Sequence, residues 1–107
     1  MPRIDLSQLD LAPPHLAQLR YALTQHVPDT EVWAFGSRVN GTAHSGSDLD
    51  LVLRNIRQLD TPATGTHELK HALQNSMLPM LIDVHDWARL PQNFHEEISR
   101  RYIIVQP

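Results

Sequence analysis

Hydrophobic positions along the chain follow two periods, and switching between them marks out the elements. After Pro13-Pro14, Leu16, Leu19, Leu23 and Val27 recur at helical spacing, which predicts a first helix over residues 14–26, ended by Pro28. Leu69, Ala72, Leu73 and Met77 predict a second helix over 66–77, and Phe94, Ile98 and Tyr102 a last one near 92–101. Between them lie short β-prone runs: EVWAF over 31–35, stopped by Gly36, then DLDLVL over 48–53 and MLIDVH over 80–85. A β-prone tail covers 102–105, and residues 54–65, with Pro62 and Gly65, read as a loop. The order helix, strand, strand, helix, strand, helix predicts an α/β (α+β) chain. Its small mixed sheet has three or four strands, with helices packed on one face.

A chain of 107 residues is enough for one domain, expected to span 1–107. No apolar run approaches the roughly 18 residues that span a bilayer, and the start, MPRIDLSQLD, lacks the apolar core of a secretory signal. There are no cysteines, which excludes a disulfide scaffold, a thiol nucleophile and Cys-based metal sites. A cytoplasmic protein is the expectation. The net charge is −3, and the eight arginines and one lysine are scattered, so non-specific DNA binding is not expected. A bound nucleotide with its metal ions needs only a local site.

The run DLDLVL supplies one. Side chains alternate along a strand, so Leu49, Leu51 and Leu53 form a core face, and Asp48 and Asp50 share the other. Two ionised carboxylates that close repel each other unless a cation sits between them, and oxygen ligands at that spacing suit Mg²⁺ or Mn²⁺. Alone, Asp-x-Asp also fits two solvated positions on a half-exposed strand. The preceding Gly36-Ser37 adds a second signal. Ser37 is a favoured helix N-cap, and a strand followed by Gly-Ser and a helical turn offers backbone N–H groups and a hydroxyl to a phosphate. Arg38 adds a positive charge beside it, and Gly41 and Gly46 let the chain turn back toward the aspartates. A third acid, Asp83, interrupts an apolar run and shares its face with Leu81 and His85. Its ordinary alternative is pairing with Arg89. Asp86 falls on the other face or beyond the strand.

A rival motif is His67-Glu68-Leu69-Lys70-His71, the H-E-x-x-H pattern of zinc proteases. At about 100° per residue, both histidines lie opposite the apolar face of their helix and point to solvent. His44 could touch a phosphate, and His85 could sit near the metals. Trp33 reads as core, Trp87 as a residue that could stack on a base or a partner, and Arg100-Arg101 as a charge pair ending a helix.

The segment from Gly36 to Leu53, GSRVNGTAHSGSDLDLVL, resembles the nucleotidyltransferase superfamily that includes DNA polymerase β. Ten residues separate its Gly-Ser from its Asp-x-Asp, as in the minimal nucleotidyltransferase branch, and Asp83 in LIDVHDW matches the third family acid. The resemblance covers about 14–104. It implies a polymerase β palm-like fold with the active site on the open edge of the sheet. It implies that Asp48, Asp50 and Asp83 hold two Mg²⁺ ions and act in catalysis. It further implies that Gly36, Ser37 and Arg38 bind the phosphates of ATP, and that AMP passes to a hydroxyl. Larger relatives carry a further domain for which this chain has no room, so an acceptor site borrowed from a partner is expected. Members of the minimal branch resemble MntA-type antitoxins of HEPN/MNT (HepT–MntA) pairs, which add AMP to a tyrosine of a small all-helical HEPN toxin ribonuclease. The alternative is a non-catalytic module of the same fold that neutralises a helical partner by contact.

Overall fold

The structure is a computed structural model that describes residues 2–107. Four helices, α1 (Pro13–His26), α2 (Ser37–Asn40), α3 (Thr66–Gln74) and α4 (Gln92–Ser99), alternate with four strands, β1 (Glu31–Phe35), β2 (Leu49–Arg54), β3 (Ile82–Asp86) and β4 (Ile103–Gln106). Two 3-10 turns, Leu6–Gln8 and Trp87–Arg89, complete the set. The sheet runs β3-β2-β1-β4, with β1 antiparallel to both neighbours and β2 parallel to β3. The β-prone tail is thus the fourth strand of the mixed sheet, placed at an edge.

Each helix starts and stops for a local reason. Pro13 and Pro14 occupy the first turn of α1, where a missing N–H costs nothing. Gly65 precedes α3 with φ +97°, and a Cβ there would overlap the His26 carbonyl, so glycine lets the start of α3 meet the end of α1. The periodic pattern carries α3 to Met77, yet it ends at Gln74. Asn75 donates its side-chain amide to the His71 carbonyl at 2.9 Å, and the Ser76 hydroxyl donates to the Leu73 carbonyl at 2.7 Å. These side chains take carbonyls that a further turn would use. Met77 is therefore not on the apolar face of α3 but outside the helix and 88% exposed.

One face of the sheet presents Val32, Ala34, Leu49, Leu51, Leu53 and Val84 to Leu19, Leu23 and Val27 at α1 and Leu69 and Leu73 of α3. Burying each such side chain contributes about 1.5–3 kcal/mol. The two longest helices thus back one face. The opposite face is half covered: Trp33 and Val52 bury against Ile98 of α4, with Trp87, Leu90 and Tyr102 around them. The other half of that face, beyond α4, carries the acids. None of the described helices is long and apolar enough to cross a membrane.

Candidate active site

In the parallel β2–β3 pair, Asp50 stands opposite Asp83 and Val52 opposite His85, so Asp50, Asp83 and His85 share one face. One ligand atom from each of these three lies within 4.8 Å of the other two. His85 Nε2 is 3.2 Å from Asp83 Oδ2. Asp48 sits just before β2 and is exposed. Burial, and then the charges of Asp83 and Asp48, push the Asp50 carboxyl above the usual carboxylate range, with His85 opposing. None of the ion pairs among the described residues includes Asp48 or Asp50. A half-buried carboxylate among like charges, with converging oxygen atoms and no protein cation, fits a hard divalent ion. His85, bonded to Asp83, can hold that carboxylate in orientation.

The turn after β1 touches this cluster. Gly36 has φ +83° and ψ −154°, a conformation essentially confined to glycine, and a Cβ on it would overlap Asp50 Oδ2. The missing side chain therefore serves the backbone and makes room for the acid. Gly36, not Ser37, is the N-cap of α2. Its carbonyl accepts from Val39 N–H at 3.0 Å and Asn40 N–H at 2.9 Å, so Ser37 is already the first helical residue. Ser37 stays at the turn, partly exposed, with its hydroxyl free of protein partners among the described residues.

Arg38 departs from its expected role beside the phosphates. It is 6% exposed, and its guanidinium donates from Nε and Nη2 to the Ser47 carbonyl, at 3.1 and 2.9 Å, and from Nη1 to the Asp10 carbonyl at 2.8 Å. Asp10 N–H returns a bond to the Arg38 carbonyl at 2.9 Å. The reason is reach: from inside α2, the side chain runs between the 41–48 loop and the segment at Asp10, and its donor fork serves one carbonyl of each. Arg38 thus fixes the residue next to Asp48. His44 is also turned into its own loop, its Nδ1 accepting from Gly46 N–H at 3.1 Å.

The remaining candidates separate cleanly. Arg89 pairs with Asp86 at 3.8 Å, not with Asp83. Asp86 is buried and accepts from Ala63 N–H at 3.0 Å and the Thr66 hydroxyl at 3.2 Å, which anchors the start of α3. His67 and His71 are exposed on α3, and the described groups able to hold a metal do not include them. Trp33 is core, stacked on Tyr102 at 3.7 Å, and Trp87 stacks on His95 at 3.9 Å. Two residues carry more of the site than their sequence context announces. His85 is the direct partner of Asp83, a relation visible in the sequence only as i, i+2 spacing on a strand. Phe94, which fits the apolar period of α4, is partly exposed and lies 6.1 Å from Phe35 and 6.2 Å from His85 (ring centroids), forming a wall beside the acids.

Comparison with known proteins bears on this geometry. The family model described as nucleotidyltransferase domain matches residues 16–105. Over 100 residues the chain is 43% identical to a probable protein adenylyltransferase MntA of Haemophilus influenzae, covering 94% of this chain and 86% of that protein. Among solved structures, a toxin–antitoxin crystallised with AMP-PNP superposes with a TM-score of 0.67 at 18% identity, over 85% of this chain and 72% of that one. At that identity the likeness is one of fold.

Proposed function

The chain belongs to the nucleotidyltransferase domain family and is an enzyme of that class, and from this premise we propose that it transfers AMP from ATP to a protein hydroxyl as the antitoxin of a toxin–antitoxin pair. The acceptor we assign is a tyrosine of a small all-helical HEPN-type toxin ribonuclease, and the setting is the cytoplasm. The observation that carries this reading is the Asp50–Asp83 pair: two carboxylates in register on neighbouring strands, with Asp48 beside them and no protein cation between. The name of the Haemophilus relative and the AMP-PNP in the structural neighbour support adenylyl transfer and a toxin partner.

Asp48, Asp50 and Asp83 would hold two Mg²⁺ ions, which when bound neutralise the triphosphate and stabilise charge on the attacking and leaving oxygens. The chain's own residues do the rest. The Gly36-Ser37 turn offers its amides and the Ser37 hydroxyl to the β- and γ-phosphates. Arg38 keeps the Asp48 loop in place. Asp83, oriented by His85, takes the proton of the acceptor hydroxyl. A bond forms from that oxygen to the α-phosphorus, the bond from the α-phosphorus to the bridging oxygen breaks, and pyrophosphate leaves with the electron pair.

The test is labelling in a lysate of the native source with purified chain, Mg²⁺ and ATP carrying label on either the α- or the γ-phosphate. Label on a second protein from α-labelled ATP alone, absent with Asp48→Asn/Asp50→Asn, is the expected result, and the mass of the product identifies the acceptor. Silencing of a toxin by the double variant as efficiently as by wild type would make contact, not transfer, the function.

A further inference from the structure

We propose that the acceptor hydroxyl reaches the site on an extended segment that adds as a fifth strand to the free edge of β3. The inference rests on the transfer reading above and goes further, to how the partner presents its side chain. β3 is an edge strand, hydrogen-bonded on one side only. Leu49 N–H donates to the Leu81 carbonyl at 2.9 Å. Parallel pairing then makes Leu81, Asp83 and His85 the residues whose backbone faces β2, and Ile82 and Val84 the ones whose N–H and C=O point outward. Among the described residues those outward groups make no backbone bond elsewhere.

Two clefts, of about 590 and 450 Å³, flank the edge and share Lys70 and Val84 at their junction. At its upstream end the edge begins at Leu81, which lines the second cleft and is 76% exposed. Leu81, on the face of Asp83, and Phe94, 37% exposed beside His85, give the acids two exposed apolar neighbours, which suits a protein acceptor better than a small molecule. Strand geometry then fixes where the acceptor lies. Hydrogen-bonded strands sit about 4.8 Å apart, and residues abreast of one another project from the same face. A residue abreast of Asp83 on an added strand therefore projects over the acid face, next to Asp83 and His85. A helix laid on the same edge cannot pair with Ile82 and Val84. The acceptor tyrosine thus belongs to a terminus or an interhelical loop of its protein, recognised largely through its backbone.

The test uses the peptide acetyl-Thr-Val-Tyr-Val-Thr-amide as probe, with the chain, Mg²⁺ and α-labelled ATP. Two variants carry N-methyl groups, one on the tyrosine amide and the other on the amides of both flanking valines. Each strand sense points only one of these sets at β3: the flanking amides in an antiparallel addition, the tyrosine amide in a parallel one. The expected result is labelling of the unmodified peptide, a loss of at least tenfold in one methylated variant, and retention in the other. Equal labelling of all three overturns the proposal, as does no labelling of the open peptide while a lysate protein is labelled. Peptide labelling that falls as the chain dimerises assigns the edge to a second copy and overturns it too. Absence of any transfer, lysate included, brings down the transferase reading instead, and this inference with it.

Discussion

The face of the sheet that carries the acids has two halves of opposite character. In the half under α4, charges and rings satisfy one another. Glu31 accepts from Arg54 and from Trp33 Nε1, the latter at 2.8 Å, and the Arg54 guanidinium lies 4.1 Å from the Trp33 ring and 4.6 Å from the Trp87 ring. Tyr102 and His95 stack on the two tryptophans. In the other half, Asp50 and Asp83 converge with His85, and the charge of Asp48 adds to the repulsion on Asp50. The first half balances its charges within the chain, although Arg54 Nε is buried there without a hydrogen-bond partner among the described residues. The second leaves repulsion standing, as a site does when its counter-charge comes from solution. One half holds the fold and the other holds chemistry, although both hang on the same two strands.

That division predicts where each substitution registers. Asp48→Asn/Asp50→Asn strikes the open half and should lower AMP transfer on the order of 10³-fold, about 4 kcal/mol of transition-state stabilisation, with the fold intact. Trp33→Ala strikes the closed half. It removes a buried ring with two aromatic neighbours, and should cost about 3–5 kcal/mol in urea unfolding, while the folded fraction transfers AMP within a few-fold of wild type. If Trp33→Ala removed activity without stability, the two halves would not be separable.

Arg38→Lys comes next in size and decides between two roles for one residue. A lysine replaces the planar fork with a point charge and cannot serve both the Ser47 and the Asp10 carbonyls. Leaving a buried carbonyl unpaired costs about 1–3 kcal/mol. The expected outcome is a lower melting temperature and a reduced kcat through the displaced Asp48 loop, with little change in KM for ATP. A raised KM for ATP with unchanged stability would return Arg38 to the phosphates, where its place in the sequence first suggested it.

How far the sequence could be read follows from the same physics. The strands and the long helices rest on periods local to a few residues, and these carry through to the structure within a residue or two, except that α3 stops three residues early. The spacing of Gly-Ser and Asp-x-Asp is as local: Gly36 does meet Asp50, while Asp48 stands exposed just before β2. Whether Arg38 faces a ligand or the protein depends on two carbonyls, one 28 residues away, and no local pattern encodes that. Met77 fits the helical period, yet Asn75 and Ser76 divert the carbonyls that would carry the helix onward, a competition between side chain and backbone that periodicity ignores. The edge position of β3 is likewise a property of strand order, not of any residue in it.

The smallest effect isolates the repulsion itself. The Asp50 carboxyl titrates above its ordinary value of 3.8 in the folded chain, chiefly through burial and then through Asp83. A carboxyl with a raised folded value binds its proton more tightly when folded than when unfolded, so its contribution to stability falls as pH rises from about the unfolded value through the raised one. Above that window, ionised Asp50 is a standing cost to the metal-free chain. Asp50→Asn should therefore melt a few degrees above wild type at pH 7 in the presence of a chelator, and the difference should vanish as pH drops below the carboxylate range. Added Mg²⁺ should reverse the order. An ion bound only by the folded wild type, present at a hundred times its dissociation constant, contributes about 2.7 kcal/mol, and the asparagine variant should gain far less. A wild type that outlasts Asp50→Asn at pH 7 without metal would mean that a protein group, not an ion from solution, already balances the acids.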